Sequence, residues 1–496
     1  MLTYLVAFLL ALGLSTALVP VVKSLARRHQ LYDRNQSSRK IHTSAIPRLG
    51  GVAIVAAFYA PLAGLLFHAN DVSERFYADP HKAIALFGGG ITIFALGLYD
   101  DLRGAGAKLK FAVQLAVAYG LYHEGFRVEQ IALPFGGHLP LGALALPFTL
   151  VWVVGVVNAF NLIDGLDGLA GGVAFFGVAT TFVIALSRGD VLMSLFMASL
   201  AGAVLGFLIF NFNPASIFMG DSGSMFLGFI LATTSMQTSQ KSSTAVAMLV
   251  PIVALGLPIM DTLLAMIRRF VRGRSMFSAD REHIHHRLLA LGYTHRRAVL
   301  TLYGLCLFLG AVALAMTFAN SVQSALLLLV VAAVVGVLIR KLGYLTPVAA
   351  GGPSLIELRQ RNLDLRTAVR ETGERLREAT SREQAWQCIE PVAELLGASE
   401  MRLELRTSSR PGGRETAVFT WQLEADQRAA PTEAHLPIGS GEPGSLRVAW
   451  RDGRAEVDRD QEIALEVLTD HMASTLERLE RQAAADPQVV RPLRRQ

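Results

Sequence analysis

Long apolar runs alternate with short polar loops from Met1 to about Leu345, and then the pattern changes. A helix needs about 20 mostly apolar residues to cross a bilayer. Segments that reach or approach this length are 4–22, 50–67, 83–99, 109–122, 146–163, 169–186, 191–210, 225–238, 244–267, 299–318 and 324–339, eleven in all. From Pro353 onward charge is dense and no run is long enough to span. There Leu355, Leu358, Asn362, Leu365, Val369, Thr372 and Leu376 follow a 3-4 spacing. That spacing predicts a helix with an a/d seam of about three heptads, either a coiled coil or a solvated amphipathic linker of its own domain. A helix over 383–396, strands over 402–406, 416–423 and 445–450, and a last helix over 458–481 complete an α+β pattern. The expected fold is an all-α polytopic membrane unit of about eleven transmembrane helices plus a small α+β domain. The expected divisions are a membrane domain over 1–345, a linker helix over 346–380, a globular domain over 381–482 and a disordered end over 483–496.

The composition agrees: 52% of 496 residues are apolar, unusual for a soluble chain. The net charge of +6 matters less than where the basic residues fall. The loops at one set of span ends, Lys23 to Arg48, Arg103 to Lys110, Arg268 to Arg297 and Arg340 with Lys341, carry twenty Lys and Arg. The opposite loops carry five: Arg75, Lys82, Arg127, Arg188 and Lys241. Basic loops stay in the cytoplasm, so the N-terminus is expected outside and the tail inside. The first segment has no basic residue before it and no small-residue cleavage site, and reads as a retained helix. Segment 130–141, with Pro134, Gly136, Gly137 and Pro140, reads as an outer turn or hairpin. The two cysteines, Cys306 and Cys388, lie in different regions and are not expected to pair.

On this topology the polar motifs share the cytoplasmic face. They are Lys40 and His42 with Arg48, Gly50 and Gly51; Asp100-Asp101; Asn158, Asn161, Asp164 and Asp167; Asn211 and Asn213 followed by Phe218, Gly220, Asp221 and Ser224; and His283, His285, His286 and Arg287. Ionisable groups at membrane depth are costly and usually functional. Each motif also has a plainer reading. Asp100-Asp101 could be a polar helix end. Asp164 and Asp167, three apart, could cap a helix. Gly220 to Ser224 could be an ordinary turn. The histidine cluster lacks nearby cysteines and fits no usual zinc spacing. Carboxylates and amide oxygens suit a hard cation such as magnesium, and arginine and histidine suit phosphate. The sum is a metal-assisted site for a phosphate-rich substrate.

These motifs, in this order, resemble the polyprenyl-phosphate N-acetylhexosamine-1-phosphate transferase family over about residues 1–345. The longest matches are 158–169 and 220–224. The resemblance implies eleven spans and a multi-pass place in the bacterial inner (cytoplasmic) membrane. It implies Mg2+ as cofactor, with Mn2+ a substitute. It implies transfer of N-acetylhexosamine 1-phosphate from a UDP-sugar to undecaprenyl or another polyprenyl phosphate, releasing UMP. His283-Ile284-His285-His286-Arg287 departs from the three consecutive histidines of the phospho-MurNAc-pentapeptide branch and looks like the UDP-GlcNAc branch. Carried over motif by motif, Asp100, Asp101, Asp164, Asp167 and Asp221 are the catalytic acids. Asp221 and Asn161 are the metal ligands. Arg48, Lys110, Asn158, Phe218, His283, His285, His286 and Arg287 are the substrate contacts. Asp167 is placed near the uracil, with Phe218 stacking on it. The expected partners are the UDP-N-acetylhexosamine, the lipid phosphate, the membrane and a second copy in a homodimer, with no nucleic acid. The tail is weakly similar to a GAF-type sensory domain. A transporter of lipid-linked sugars and a membrane receptor are the alternatives from other classes. Against a transporter, the acids cluster at one face and no internal repeat is evident.

The lysine and arginine distribution yields a test. Reporter fusions after Leu345 and within 71–79 are expected to read opposite sides of the membrane. Both reading one side would refute the arrangement of spans.

Overall fold

A computed structural model describes residues 1–31, 46–65, 74, 80–132, 138–240, 249–271, 283–342, 355–408, 414–423, 432–438, 444–451, 457 and 459–485. The Lys40 and His42 motif, Pro134, Gly136 and Gly137 lie outside the described residues, as do the side chains of Leu355 and Leu358. The chain forms two compact units. One comprises Met1–Met266 with Ala279–Thr346, the other Ile267–Ser278 with Pro347–Gln496.

Among its described residues the first unit is helical apart from one pair of short strands and the connecting turns. In chain order it holds α1 (Leu2–Arg28), α2 (Gly50–Leu65), α3 (Pro80–Arg103) and α4 (Ala107–His123). Strands β1 (Gln130–Ala132) and β2 (His138–Pro140) follow, then α5 (Ala145–Ile163), α6 (Leu169–Ser187), α7 (Val191–Asn211) and α8 (Gly220–Gln240). Then come α9 (Leu249–Ala254), α10 (Gly256–Val271, which runs on past this unit), α11 (Ile284–Ala290), α12 (His295–Phe318) and α13 (Ser321–Lys341). The described parts of the eleven expected segments are helical, and segment 244–267 divides at Leu255. Among the described residues seven helices are long and apolar enough to cross a membrane: α1, α3, α5 with the short turn before it, α6, α7, α12 and α13. Helix α4 falls short in length, at 17 residues, and carries Lys108, Lys110 and Gln114. The protein is therefore a multi-pass membrane protein. Strands β1 and β2 pair antiparallel within the segment expected to form a hairpin, with Ile131 opposite Leu139.

Helix α7 sits at the centre. Its side chains are buried nearly all round, as expected of a helix apolar on every face. Its start is capped by Asp190, which accepts from the Met193 amide at 3.2 Å. Its flank meets α1, where Ser15 Oγ donates to Ala203 O at 2.7 Å. Helix α13 is also apolar throughout, yet Ser324 is its one buried residue. Such a helix is suited to lipid. Helix α8 is rich in Ser and Thr and is nevertheless buried along its length. Its hydroxyls bond back to their own helix, as Thr233 does to Phe229 O at 2.9 Å and Thr238 to Thr234 O at 2.7 Å. Polar side chains satisfied in this way tolerate an apolar setting. Trp152 Nε1 donates to Ala232 O at 3.0 Å and ties α5 to α8.

The second unit includes α14 (Leu355–Glu378), α15 (Arg382–Ile389), α16 (Val392–Leu395), β3 (Glu400–Ser408), β4 (Arg414–Gln422), β5 (Thr432–Ile438), β6 (Gly444–Trp450) and α17 (Arg459–Ala485). The sheet is antiparallel in the order β4-β3-β6-β5, with Leu403 opposite both Phe419 and Leu446. Met401, Leu403, Leu405, Leu446, Val448 and Trp450 face the core. Two donors, Trp450 Nε1 at 3.0 Å and Gln461 Nε2 at 2.6 Å, share the carbonyl of Leu396.

Three expectations for the tail need correction. The helix expected over 383–396 is two, because Pro391 has no N–H to continue the ladder. Strand β5 was not foreseen. It contains Pro437, which argues against a central strand but is tolerated on this edge strand. The seam Leu365, Val369, Thr372 and Leu376 is not free to pair with a second copy. These residues are buried in the tail's own core with Leu465, Leu468 and Met472 of α17. The two stripes bury each other within one chain.

Leu376 is fully buried there. Leu376→Ala is expected to destabilise the tail by about 2–5 kcal/mol, read as faster proteolysis and hydrogen exchange of residues 355–485 in the full chain. Parent-like protection would show that this seam carries no packing load.

Candidate active site

The site is organised around the first turn of α8. Asp101, at the end of α3, accepts from the Asp221 amide on Oδ1 at 2.8 Å and from the Ser222 amide on Oδ2 at 3.0 Å. Both oxygens are thus spent on two of the open amides that begin a helix. The segment before α2 zips onto the same place. Phe218 N donates to Pro47 O at 2.8 Å, Gly50 N to Phe218 O at 2.9 Å and Gly51 N to Met219 O at 2.8 Å. Gly220 adopts φ +76°, and a Cβ there would stand 2.2 Å from Arg48 O and 2.5 Å from the Asp101 carboxylate. Side chains at Gly51 or Gly97 would likewise strike the backbone of Asp221 to Gly223, so α2 and α3 both lie directly on this turn.

The turn so held aims Asp221 at α4. Lys110 Nζ lies 2.8 Å from Asp100 Oδ2 and 3.0 Å from Asp221 Oδ2, bridging the two carboxylates. The Ala105 amide also donates to Asp100. One helical turn on from Lys110, buried Gln114 accepts from Asn158 Nδ2 at 2.6 Å, bracing α4 against α5. Asn161 Nδ2 donates to Ser224 Oγ at 3.1 Å, which leaves its carbonyl oxygen as an acceptor beside the turn.

The loop between α5 and α6 carries the other acids. Asp164 ends α5. Burial, then the charge of Asp221 and more weakly those of Asp101 and Asp167, push its carboxyl up to about 7, while Arg48 acts in the opposite sense. Asp167 is buried, and its Oδ2 accepts from Asn213 Nδ2 and the Ala215 amide, both at 3.0 Å. Asn211 clamps the same loop, accepting from Gly168 N at 3.1 Å and donating to Ile217 O at 2.9 Å. Tyr303 donates to Gly168 O from α12.

The histidines close the far side. His285 lies against Gly165, where a Cβ would come within 2.5 Å of its Nε2. Neither of its ring nitrogens has a protein partner among the described residues. Burial first, and the adjacent His286 next, hold its imidazole down to about 3, so it is neutral near pH 7. His283 and His285 lie parallel with centroids 5.7 Å apart, and His286 is 4.2 Å from His285.

Residues 83–239 match the model of the family described as Glycosyl transferase family 4. A probable undecaprenyl-phosphate N-acetylglucosaminyl 1-phosphate transferase of Bacillus subtilis is 40% identical over 304 residues, 61% of this chain and 82% of that protein. The chain belongs to glycosyl transferase family 4. A decaprenyl-phosphate N-acetylglucosaminephosphotransferase of Mycolicibacterium smegmatis is 38% identical over 294 residues, 53% of this chain and 70% of that protein. The undecaprenyl-phosphate alpha-N-acetylglucosaminyl 1-phosphate transferase of Escherichia coli K12 is 29% identical over 282 residues, 56% of this chain and 74% of that protein.

In this family 4 member, the matched stretch holds Asp100, Asp101, Lys110, Asn158, Asn161, Asp164, Asp167, Phe218 and Asp221. Arg48 lies before it and His283 to Arg287 after it. Phe218 is half-buried and is engaged here through its backbone. Among the described residues no three carboxylate, histidine or cysteine side chains meet as a ready-made metal cage. The donor chemistry nonetheless suits a hard divalent cation. Asp100 and Asp221 already share one cation, the Lys110 ammonium, and the carbonyl oxygen of Asn161 lies on the same turn. Gln114, Asp261 and Tyr303 were not singled out from sequence. Only Gln114 gave a signal, as a polar residue one turn beyond Lys110 in an apolar run.

Two substitutions separate holding from chemistry. Asp101→Ala removes both amide contacts at the start of α8 and is expected to lower stability by about 1–2 kcal/mol, visible as a lower Tm in detergent. Asp221→Asn, which leaves those amides in place, is expected to melt with the parent. Equal melting of all three proteins would show that Asp101 does not hold the turn.

Proposed function

We propose that this chain transfers N-acetylglucosamine 1-phosphate from UDP-N-acetylglucosamine to a polyprenyl phosphate and releases UMP. The observation that carries this reading is the meeting of Asp100, Lys110 and Asp221 at one helix start within a multi-pass unit. The names of the relatives, each a polyprenyl-phosphate N-acetylglucosamine-phosphate transferase, support the same reading. In it the acceptor is the lipid phosphate, whose second pKa near ~6 leaves it largely dianionic at pH 7. An oxygen of that phosphate forms a bond to the β-phosphorus of the nucleotide sugar, and the bond from that phosphorus to the UMP oxygen breaks. No strong general base is needed. Arg48 and Lys110 hold phosphate oxygens and offset the repulsion between the two anions. Asp221, with Asn161 and Asp100, would hold Mg2+, for which Mn2+ can substitute. Bound there, the cation supplies charge stabilisation at the phosphoryl oxygens. Asp164 and Asp167 line the loop that receives the nucleotide, and His283, His285, His286 and Arg287 grip the diphosphate and sugar.

The lysine and arginine bias supports a cytoplasmic site and, with the eleven spans of the apolar pattern, an outside N-terminus; the resemblance to the family supports a bacterial inner-membrane location. The tail holds none of these residues, and we read it as a GAF-like regulatory module.

The test is a detergent assay with UDP-N-acetylglucosamine and polyprenyl phosphate, measuring UMP. Release is expected with the parent chain, and Asp221→Asn should reduce it by on the order of 10²-fold or more without loss of Tm. Movement of intact substrate across vesicles with no UMP would replace this reading with transport.

A further inference from the structure

We propose that Asp261 is a positioning residue that fixes the orientation and tautomer of His283. The inference rests on the reading above, in which the His283 to Arg287 segment meets the nucleotide sugar.

Asp261 lies in the apolar helix α10 and is 2% exposed. A carboxylate is seldom left in such a place without partners. Its two oxygens divide their work. Oδ1 accepts from the Ile284 amide at 2.8 Å, capping α11, and Oδ2 lies 2.9 Å from His283 Nδ1. His283 is itself 4% exposed. An ionised carboxylate can only accept, so Nδ1 must carry a proton. Nε2 is then the nitrogen left for substrate. Helix α11 has seven residues, too few to hold its own course by intrinsic propensity. The carboxylate therefore sets both the start of the helix and the ring that precedes it. From that ring the contact runs on: His283 lies parallel to His285, and His285 lies against Gly165 in the loop of Asp164 and Asp167. Asp261 thus reaches the site through His283 without touching substrate, as carboxylates behind functional histidines commonly do.

Asp261→Asn tests this in the full-length protein. The Ile284 amide claims the one remaining carbonyl oxygen, so the new NH2 faces Nδ1. Nδ1 must then accept, which drives the ring proton to Nε2. In the UMP-release assay, kcat/KM for UDP-N-acetylglucosamine is expected to fall on the order of 10²-fold, with KM for polyprenyl phosphate unchanged. His283→Ala should fall as far, and the double variant no further, because the residues act as one unit. Parent-like turnover of Asp261→Asn, or losses that multiply in the double variant, would overturn the proposal. A second readout does not need turnover. In 15N-histidine spectra, the His283 resonances, assigned by their loss in His283→Ala, should show Nδ1 protonated in the parent and Nε2 protonated in Asp261→Asn. A neutral, Nε2-protonated His283 in the parent overturns the proposal even where Asp261→Asn cannot be purified folded. A parent chain that releases no UMP counts against the transfer reading, and the spectra alone then decide the role of Asp261.

Discussion

The site depends on one interaction, the grip of the Asp101 carboxylate on the second and third amides of α8. It fixes where α8 begins, and Asp221 is the side chain that start presents. The amides of a helix start are open donors carrying partial positive charge. An acid that accepts from two of them has both oxygens engaged by the backbone. The neighbouring acid, Asp100, is left to face Lys110 and Asp221. Two adjacent aspartates thus divide into one that holds the helix start and one that faces Lys110. The small residues around them serve the same end, since Gly51 and Gly97 bring α2 and α3 onto the turn that Asp101 has fixed.

The same device recurs. Asp190 caps α7, and Asp261 caps α11 while holding His283. Within an apolar unit an unpaired carboxylate is expensive, and backbone amides are donors that need no second charged side chain. Each such acid trades its freedom for the direction of a helix. The loop of Asp164 to Gly168 is held in a related way, by Asn211, Asn213 and Tyr303, so that its acids are displayed from a rigid support.

Much of this was legible in the sequence. The apolar runs marked the helices, and Pro134 to Pro140 marked a hairpin. Spacing alone did not tell a capping acid from a chemical one. Asp100 and Asp101 are adjacent and alike, and only the approach of α8, 120 residues further on, separates them. Asp261 was hidden because it sits inside an apolar run, and its partner His283 lies beyond a basic loop. The tail showed the opposite failure. The 3-4 spacing of Leu365 to Leu376 showed an apolar seam, but a seam does not name what covers it. The covering residues, Leu465, Leu468 and Met472, lie about 100 positions away in the same chain. Strand β5 was lost to Pro437, whose missing N–H matters only to a strand with neighbours on both sides.

The electrostatics of the cluster set an order on the proposed reaction. Asp100, Asp101, Asp164 and Asp221 stand against Lys110 and Arg48, and Asp101 is already paired with amides. A second anion brought to about 4 Å from an unpaired carboxylate meets a repulsion of about 4 kcal/mol at an effective dielectric constant near 20. Two phosphate substrates would each meet it. Lys110 cannot answer both Asp100 and Asp221 and also give its full charge to an incoming phosphate, because its three donors share one positive charge. The carboxyl of Asp164 is raised chiefly by burial, and the charges of Asp221, Asp101 and Asp167 add the same imbalance seen from another residue. A further cation among these oxygens would free Lys110 to turn from the carboxylates to the phosphate. On the proposed reaction, the acids of this site would prepare a place for positive charge, and only through it would they act on the anionic substrates.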